Sequence, residues 1–209
     1  HIAYTNLSPP HDWDNAEKTI HTLPAGAETG EVIHKLFETF PYDKMSRIFS
    51  AEDVCEVIAP RLARGKFEAW AMVIAEMMYG AFNMPLQGSD GESFCLKDVP
   101  FAKMRCEMEF LTPYRGEEYM KGIVDMFFEY EGKYYLLDWK THWLGASKEA
   151  YSKEMCERCV QEYNYDMQAK IYSQALEKYL DLFEKKPFDE AFGGFFFVFV
   201  RGMEAVKVL

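Results

Sequence analysis

Gly122-Ile-Val-Asp125-Met-Phe-Phe-Glu-Tyr-Glu131-Gly132-Lys-Tyr-Tyr-Leu-Leu-Asp138-Trp139-Lys140 is the stretch that decides how this 209-residue chain is read. Residues 122–130 are rich in Ile, Val, Phe and Tyr, and residues 133–137 are Lys-Tyr-Tyr-Leu-Leu. The turn-competent pair Glu131-Gly132 lies between them, so the stretch reads as a β-hairpin. Side chains alternate faces along a strand. Asp138 and Lys140 therefore share one face while Trp139 takes the other, and Asp125 meets Asp138 across the ladder. Two carboxylates at one point repel each other and are costly to desolvate unless a cation joins them. Oxygen-rich ligands with open positions suit Mg2+ or Mn2+. A spacing of D-x12-D-x-K in apolar strands is how two acids and an ammonium are set around a scissile phosphate. The plain alternative is a hairpin with charged residues on its solvent face, and the apolar flanks argue against it.

Bulk composition narrows the class. A chain of this length can build one domain with a real core. Apolar residues at 49% and aromatics at 16% exclude a disordered chain. No apolar run is long enough to span a bilayer, and the mixed polar start His1-Ile-Ala-Tyr-Thr-Asn-Leu does not resemble a signal peptide. The expectation is a cytoplasmic protein with no membrane partner. The first residue is not Met, which raises the expectation of an excerpt from a longer protein. Cys55, Cys95, Cys106, Cys156 and Cys159 follow no disulfide framework and read as reduced thiols. Cys156-x-x-Cys159 could form half of a zinc or iron–sulfur site, but no second pair stands at suitable spacing.

A net charge of −11 counts against a free-standing, tight DNA-binding domain. It does not exclude a nuclease, whose site carboxylates are themselves acidic, and it predicts weak, salt-sensitive binding. No G-x-x-x-x-G-K-[S/T] loop is present, so the chain shows no ATPase of its own.

Residues 1–28 are weakly patterned and read as a linker or peripheral arm. A helix is expected from Thr29 as N-cap, burying Val32, Ile33, Leu36, Phe37 and Phe40. Two more helices are expected at 51–63 and 66–79, the second apolar nearly all round. A loop at 85–91, a strand at 104–111 and a turn at 113–116 precede the hairpin. A loop at 141–150, helices at 151–162 and 165–184, and a final apolar strand from Gly194 complete the core.

Other residues fit around the acids. His34 stands on a helix four residues before Glu38, and neutral imidazole is a good metal ligand. Glu107 and Glu109 share a strand face, and either is a candidate third acid. Tyr165, Gln168 and Tyr172 lie at i, i+3 and i+7 on one helical face. Uncharged Gln and Tyr groups suit phosphate or sugar oxygens.

The order G-x-x-x-H, E, D, D-x-K, Q-x-x-x-Y resembles the nuclease domain of the RecB family, the beta subunit of exonuclease V. That domain belongs to the PD-(D/E)xK superfamily. The likeness is carried by Gly122-Ile-Val-Asp125, Tyr134-Tyr-Leu-Leu-Asp138-Trp-Lys140-Thr-His-Trp-Leu-Gly145, Tyr165-Asp-Met-Gln168-Ala-Lys-Ile-Tyr172, and Phe192-Gly-Gly with Val200-Arg-Gly202. It covers roughly residues 22–204, leaving 1–21 as a linker or arm before a nuclease domain at 22–209.

The resemblance implies an α/β fold with a restriction-endonuclease-like core: a central mixed β-sheet flanked by helices. It implies that His34, Asp125, Asp138 and the backbone carbonyl of Trp139 hold Mg2+, with Mn2+ able to substitute. Lys140 would orient the attacking water, Glu107 would be the upstream acid, and Gln168 and Tyr172 would lie near the DNA backbone. Some relatives carry a four-cysteine iron–sulfur cluster, and the cysteines here do not follow that layout, so no cluster is expected. The implied activity is magnesium-dependent hydrolysis of single- and double-stranded DNA in double-strand-break repair and recombination, beside a helicase domain and RecC- and RecD-like subunits. The rival is a catalytically inert nuclease-like scaffold or DNA-binding module. A third possibility is a stand-alone nuclease of the same superfamily.

Overall fold

The structure, a computed structural model, describes residues 17–113 and 119–209. Helices α1 (Ala27–Glu38), α2 (Ala51–Leu62) and α3 (Ala71–Asn83) come first, and a small hairpin of β1 (Pro85–Gln87) and β2 (Ser93–Cys95) follows. The main sheet is built from β3 (Met104–Pro113), β4 (Tyr119–Tyr130), β5 (Lys133–Lys140), β6 (Phe192–Phe199) and β7 (Glu204–Val208), in that spatial order. Helices α4 (Lys153–Glu162), α5 (Tyr165–Leu180) and α6 (Phe188–Ala191) carry the chain from β5 to β6. Those two strands pair in parallel while every other neighbour is antiparallel, so the sheet is mixed. A parallel neighbour needs a long crossover, and the helical segment supplies it.

The sheet separates two cores. Tyr135, Leu137 and Trp139 of β5 and Phe196, Val198 and Val200 at β6 face α1, α2 and α3. Leu136 of β5 and Phe195, Phe197 and Phe199 of β6 face α4 and α5. Each of Phe195 to Val200 is at most 1% exposed, which explains an unbroken apolar run without polar alternation. The expected fold class, an α/β core with a mixed central sheet flanked by helices, is the one observed.

Local expectations differ in instructive places. Thr29 is not the N-cap of α1: Gly26 is, at φ 117°, where a side chain is strained, and Thr29 lies buried in the first turn. The α2 start is closed by Ser50 and Asp53 in a reciprocal capping box. The 66–79 helix begins later, at Ala71, after a 3-10 turn over Glu68–Trp70. The 85–91 loop holds β1 and the turn into β2. The core does not end at the Phe-rich strand, because β7 adds an edge that buries Val206. The turn expected at 113–116 and the arm up to residue 16 lie outside the described residues.

The segment after that arm is docked by one cation. Arg201 is 2% exposed. Its guanidinium donates to the carbonyls of Thr141 (3.0 Å), Ile20 (3.1 Å), Leu23 (2.7 Å) and Pro24 (2.7 Å).

Candidate active site

The hairpin closes as expected, with Glu131 (φ 48°) and Gly132 (φ 75°) both in the left-handed region that a two-residue turn demands. Its ladder runs from Tyr130↔Lys133 to Met126↔Leu137 and stops there. The next pair would be Asp125 opposite Asp138. Instead the strands part, and the Asp125 carboxylate accepts the Trp139 backbone N–H at 2.7 Å.

On the other side of β4, pairing with β3 is present at Cys106↔Met126 and Met108↔Val124, on either side of Glu107. Glu107 has φ 50°, a sparsely populated conformation for a non-glycine residue. Side-chain alternation breaks here too. Met126 and Phe128 pack toward α1, α2 and α3, whereas Val124 packs toward α4 and α5. Asp125 sits at this reversal, where both helical layers can reach it.

From the first layer comes His34 on α1, with Nδ1 3.2 Å from Asp125 Oδ1. Burial alone would lower the His34 pKa, but its hydrogen bond to Asp125 and the charges of Asp125 and Asp138 outweigh burial and raise it. From the second layer comes Gln168 on α5. Its Nε2 donates to Asp138 Oδ1 at 2.8 Å, and its Oε1 accepts from Lys140 Nζ at 3.3 Å. Lys140 Nζ also meets Asp138 Oδ2 at 2.7 Å. Burial pushes the Asp138 carboxyl upward against the lowering pull of Lys140, and the Asp125 charge adds to the rise.

Exposure grades across the site. The His34 side chain is 34% exposed, Asp125 13%, Asp138 9% and Lys140 8%. The site therefore opens on the His34 side, and the lysine stands at its floor.

The donor set has the chemistry of a hard divalent cation site: two carboxylates, one imidazole and nearby backbone carbonyls. Burial first, and the Asp125 charge after it, raise Asp138, and a cation would relieve the repulsion between the two carboxylates. No three His, Cys, Asp or Glu side chains form a ready cage among the described residues. Asp138 is instead held by Lys140 and Gln168, so a metal would have to share that carboxylate.

No family model matches the chain. RecBCD enzyme subunit RecB of Chlamydia muridarum (strain MoPn / Nigg) is 34% identical over 184 residues, which cover 87% of this chain. The subunit of the same name from Escherichia coli (strain K12) is 28% identical over 221 residues, covering 89% of this chain. This is a RecB-type domain. The chain spans only 17% and 18% of the length of those two relatives.

Within this RecB-type domain, His34, Asp125, Asp138, Lys140 and Gln168 converge. Glu107 is close enough that, after burial, the charges of Asp125 and Glu38 raise its pKa. Glu109, the other candidate acid, forms an exposed ion pair with Lys121 at 2.7 Å instead. Tyr172 packs edge-on to Phe110, with ring centroids 4.6 Å apart. A Cβ at Gly122 would stand 2.5 Å from Phe110 and 2.9 Å from Tyr172, so glycine is what lets Tyr172 approach β4. The Trp139 ring points away and stacks on Phe37 at 4.0 Å, which leaves only its backbone at the site.

The roles of three neighbours escaped sequence reasoning. Glu38 lies near Glu107, Tyr165 lies beneath Lys140, and His142 bonds Tyr165. The Tyr165 spacing on α5 was visible, but the lysine it would meet was not. Cys156 and Cys159 are buried thiols in the α4–α5 core, and burial pushes them up to about 12 and about 11.

Proposed function

We propose that the domain is a metal-dependent deoxyribonuclease of the RecB type. The observation that carries this reading is the fork at Asp125 and Asp138, with His34 at its open end and Lys140 and Gln168 at its floor. His34, Asp125, Asp138 and the carbonyl of Trp139 would hold Mg2+ or Mn2+. When bound, the metal would supply Lewis-acid polarisation of the phosphate and a more acidic water.

The remaining work falls to the protein. Asp125 is braced on one oxygen by the Trp139 N–H and on the other by His34, and each oxygen keeps a lone pair for a cation. Gln168 bonds both the Asp138 carboxylate and the Lys140 ammonium and so fixes one against the other. Lys140, at the floor, offers N–H donors to the charge that develops on the phosphate oxygens. Glu107, whose pKa is raised by burial and then by the charges of Asp125 and Glu38, is a candidate proton carrier at the rim. Gln168 and Tyr172 line the side along which a DNA backbone would run.

The acidic surface repels DNA until the acids are neutralised, so metal and DNA binding would be coupled. The names of the relatives support placing the domain in a RecBCD-like assembly with RecC- and RecD-like subunits; action in double-strand-break repair and recombination beside a helicase domain follows from the RecB resemblance. Among the described residues no helix is long and apolar enough to cross a membrane, which fits a DNA-processing role.

The inert-scaffold reading draws on one observation: Asp138 is already satisfied by Lys140 and Gln168, with no formed cage among the described residues. Cleavage of linear single- and double-stranded DNA with Mg2+, Mn2+ or EDTA, beside Asp138→Asn, tests the proposal. Metal-dependent cleavage lost in the variant is expected. Metal-dependent cleavage that survives in Asp138→Asn refutes the assigned site. Absence of both cleavage and calorimetric Mn2+ binding supports the scaffold.

A further inference from the structure

Lys140 has anchors beyond Asp138 and Gln168. Its Nζ stands 3.6 Å from the ring centroid of Tyr165 and 4.8 Å from that of Phe197. An ammonium over an aromatic face is attracted by the ring quadrupole, most strongly where water is excluded, and this side chain is 8% exposed. The Tyr165 ring is itself fixed from three directions. It stacks on Tyr163 at 5.6 Å with 16° between planes and tilts against Phe197 at 5.4 Å. Its hydroxyl meets His142 Nε2 at 3.0 Å.

His142 keeps that contact at a cost. Its Nδ1 is buried with no hydrogen-bond partner among the described residues, an arrangement that proteins usually avoid. The bond to Tyr165 is the one polar contact its ring makes among the described residues, beside an edge-on packing against Tyr163 at 4.9 Å. An apolar ring would pack there without an orphaned nitrogen. The imidazole therefore has a use that packing alone does not supply. Asp138 is also a candidate metal ligand, so the ring face and Gln168 are the anchors Lys140 keeps when that carboxylate is shared.

We propose that His142 and Tyr165 are positioning residues, the imidazole locking the phenol so that its ring face holds the Lys140 ammonium at the floor of the site. The catalytic use of that placement rests on the nuclease reading; the anchoring itself does not.

The test uses the 209-residue chain with 13C-labelled lysine, the Lys140 ε-methylene signal being assigned through Lys140→Arg. A ring-current shift is expected at that signal. It should fall sharply in Tyr165→Leu, leaving only the smaller share from the Phe197 ring, and weaken equally in Tyr165→Phe and His142→Ala. The double variant Tyr165→Phe/His142→Ala should weaken it no further, and His142→Gln should restore it. In DNA cleavage, Tyr165→Leu should lower kcat roughly tenfold with KM unchanged.

A Lys140 signal indifferent to Tyr165→Leu overturns the proposal, as do additive effects of the two single variants. Unchanged kcat with the shift lost overturns the positioning role. If Tyr165→Leu does not fold, Tyr165→Phe and His142→Ala decide. A wild-type chain that neither cleaves DNA nor binds Mn2+ while showing the Tyr165-dependent shift sinks the nuclease reading and leaves the anchoring standing.

Discussion

Asp138→Ala should destabilise the domain, and Lys140→Met added to it should restore most of the loss. Asp138 accepts from Lys140 Nζ at 2.7 Å and from Gln168 Nε2 at 2.8 Å, and both charged side chains are under 10% exposed. Removing one partner of a buried pair strands the other charge and typically costs about 3–5 kcal/mol. Here a compensation applies. Burial and the Asp125 charge already disfavour the ionised Asp138 carboxyl, so deleting it relieves that repulsion. The expected loss therefore lies near the lower end, about 3 kcal/mol. Replacing both charges by apolar groups removes the stranded ammonium as well, and such replacements are often neutral or stabilising. Asp138→Asn keeps one neutral acceptor for Lys140 but turns an amide N–H toward the Gln168 donor and leaves the ammonium charge unpaired, so it should lose less than the alanine variant, about 2 kcal/mol, which makes it the cleaner inactive variant. Urea unfolding in EDTA at neutral pH measures all three. Asp138→Ala within about 1 kcal/mol of wild type, or a double variant no more stable than the single, would refute the reasoning.

Three further outcomes are expected. Burial, then the charges of Lys140 and His34, push the His142 imidazole down from 6.5 to about 4. The unfolded chain then takes up this proton before the folded one, so stability is full above pH 6.5 and declines toward pH 4. That loss should be about 2 kcal/mol between pH 7 and pH 5, absent in His142→Phe, as read by urea unfolding at each pH. His34→Ala removes a one-third exposed side chain, so calorimetry should show weakened Mn2+ binding with little change in unfolding; unchanged Mn2+ affinity would remove His34 from the ligand set. Arg201→Leu leaves the buried carbonyl of Leu23 and the partly buried carbonyls of Thr141, Ile20 and Pro24 without their donor and should cost about 3 kcal/mol. Hydrogen exchange should then rise first at residues 20–24, and a uniform rise across the sheet would contradict that local account.

Much of the core was legible because period and composition report local burial directly. The Phe195-to-Val200 run read as an apolar strand, and the stripe of Ile33, Leu36 and Phe37 in α1, continued by Phe40 just past its end, needed no partner to be recognised. Elements with few apolar residues were not legible. β7 shows five residues of mixed character, and β1 shows three. Their strand form comes from the backbone groups they pair with, which composition does not reveal.

Alone, the sequence determined that Asp138 and Lys140 share a face opposite Trp139, that the hairpin turns at Glu131-Gly132, and that Tyr165, Gln168 and Tyr172 line one side of a helix. All three are consequences of the periods of strand and helix. Only the tertiary structure decided the fork at Asp125, the choice of Glu107 over Glu109 as the acid facing it, and the His142–Tyr165–Lys140 stack. Each of these depends on where a ladder stops or a strand reverses its faces. Such breaks are set by competition between hydrogen bonds and packing across elements distant in sequence, and no local pattern along the chain encodes them.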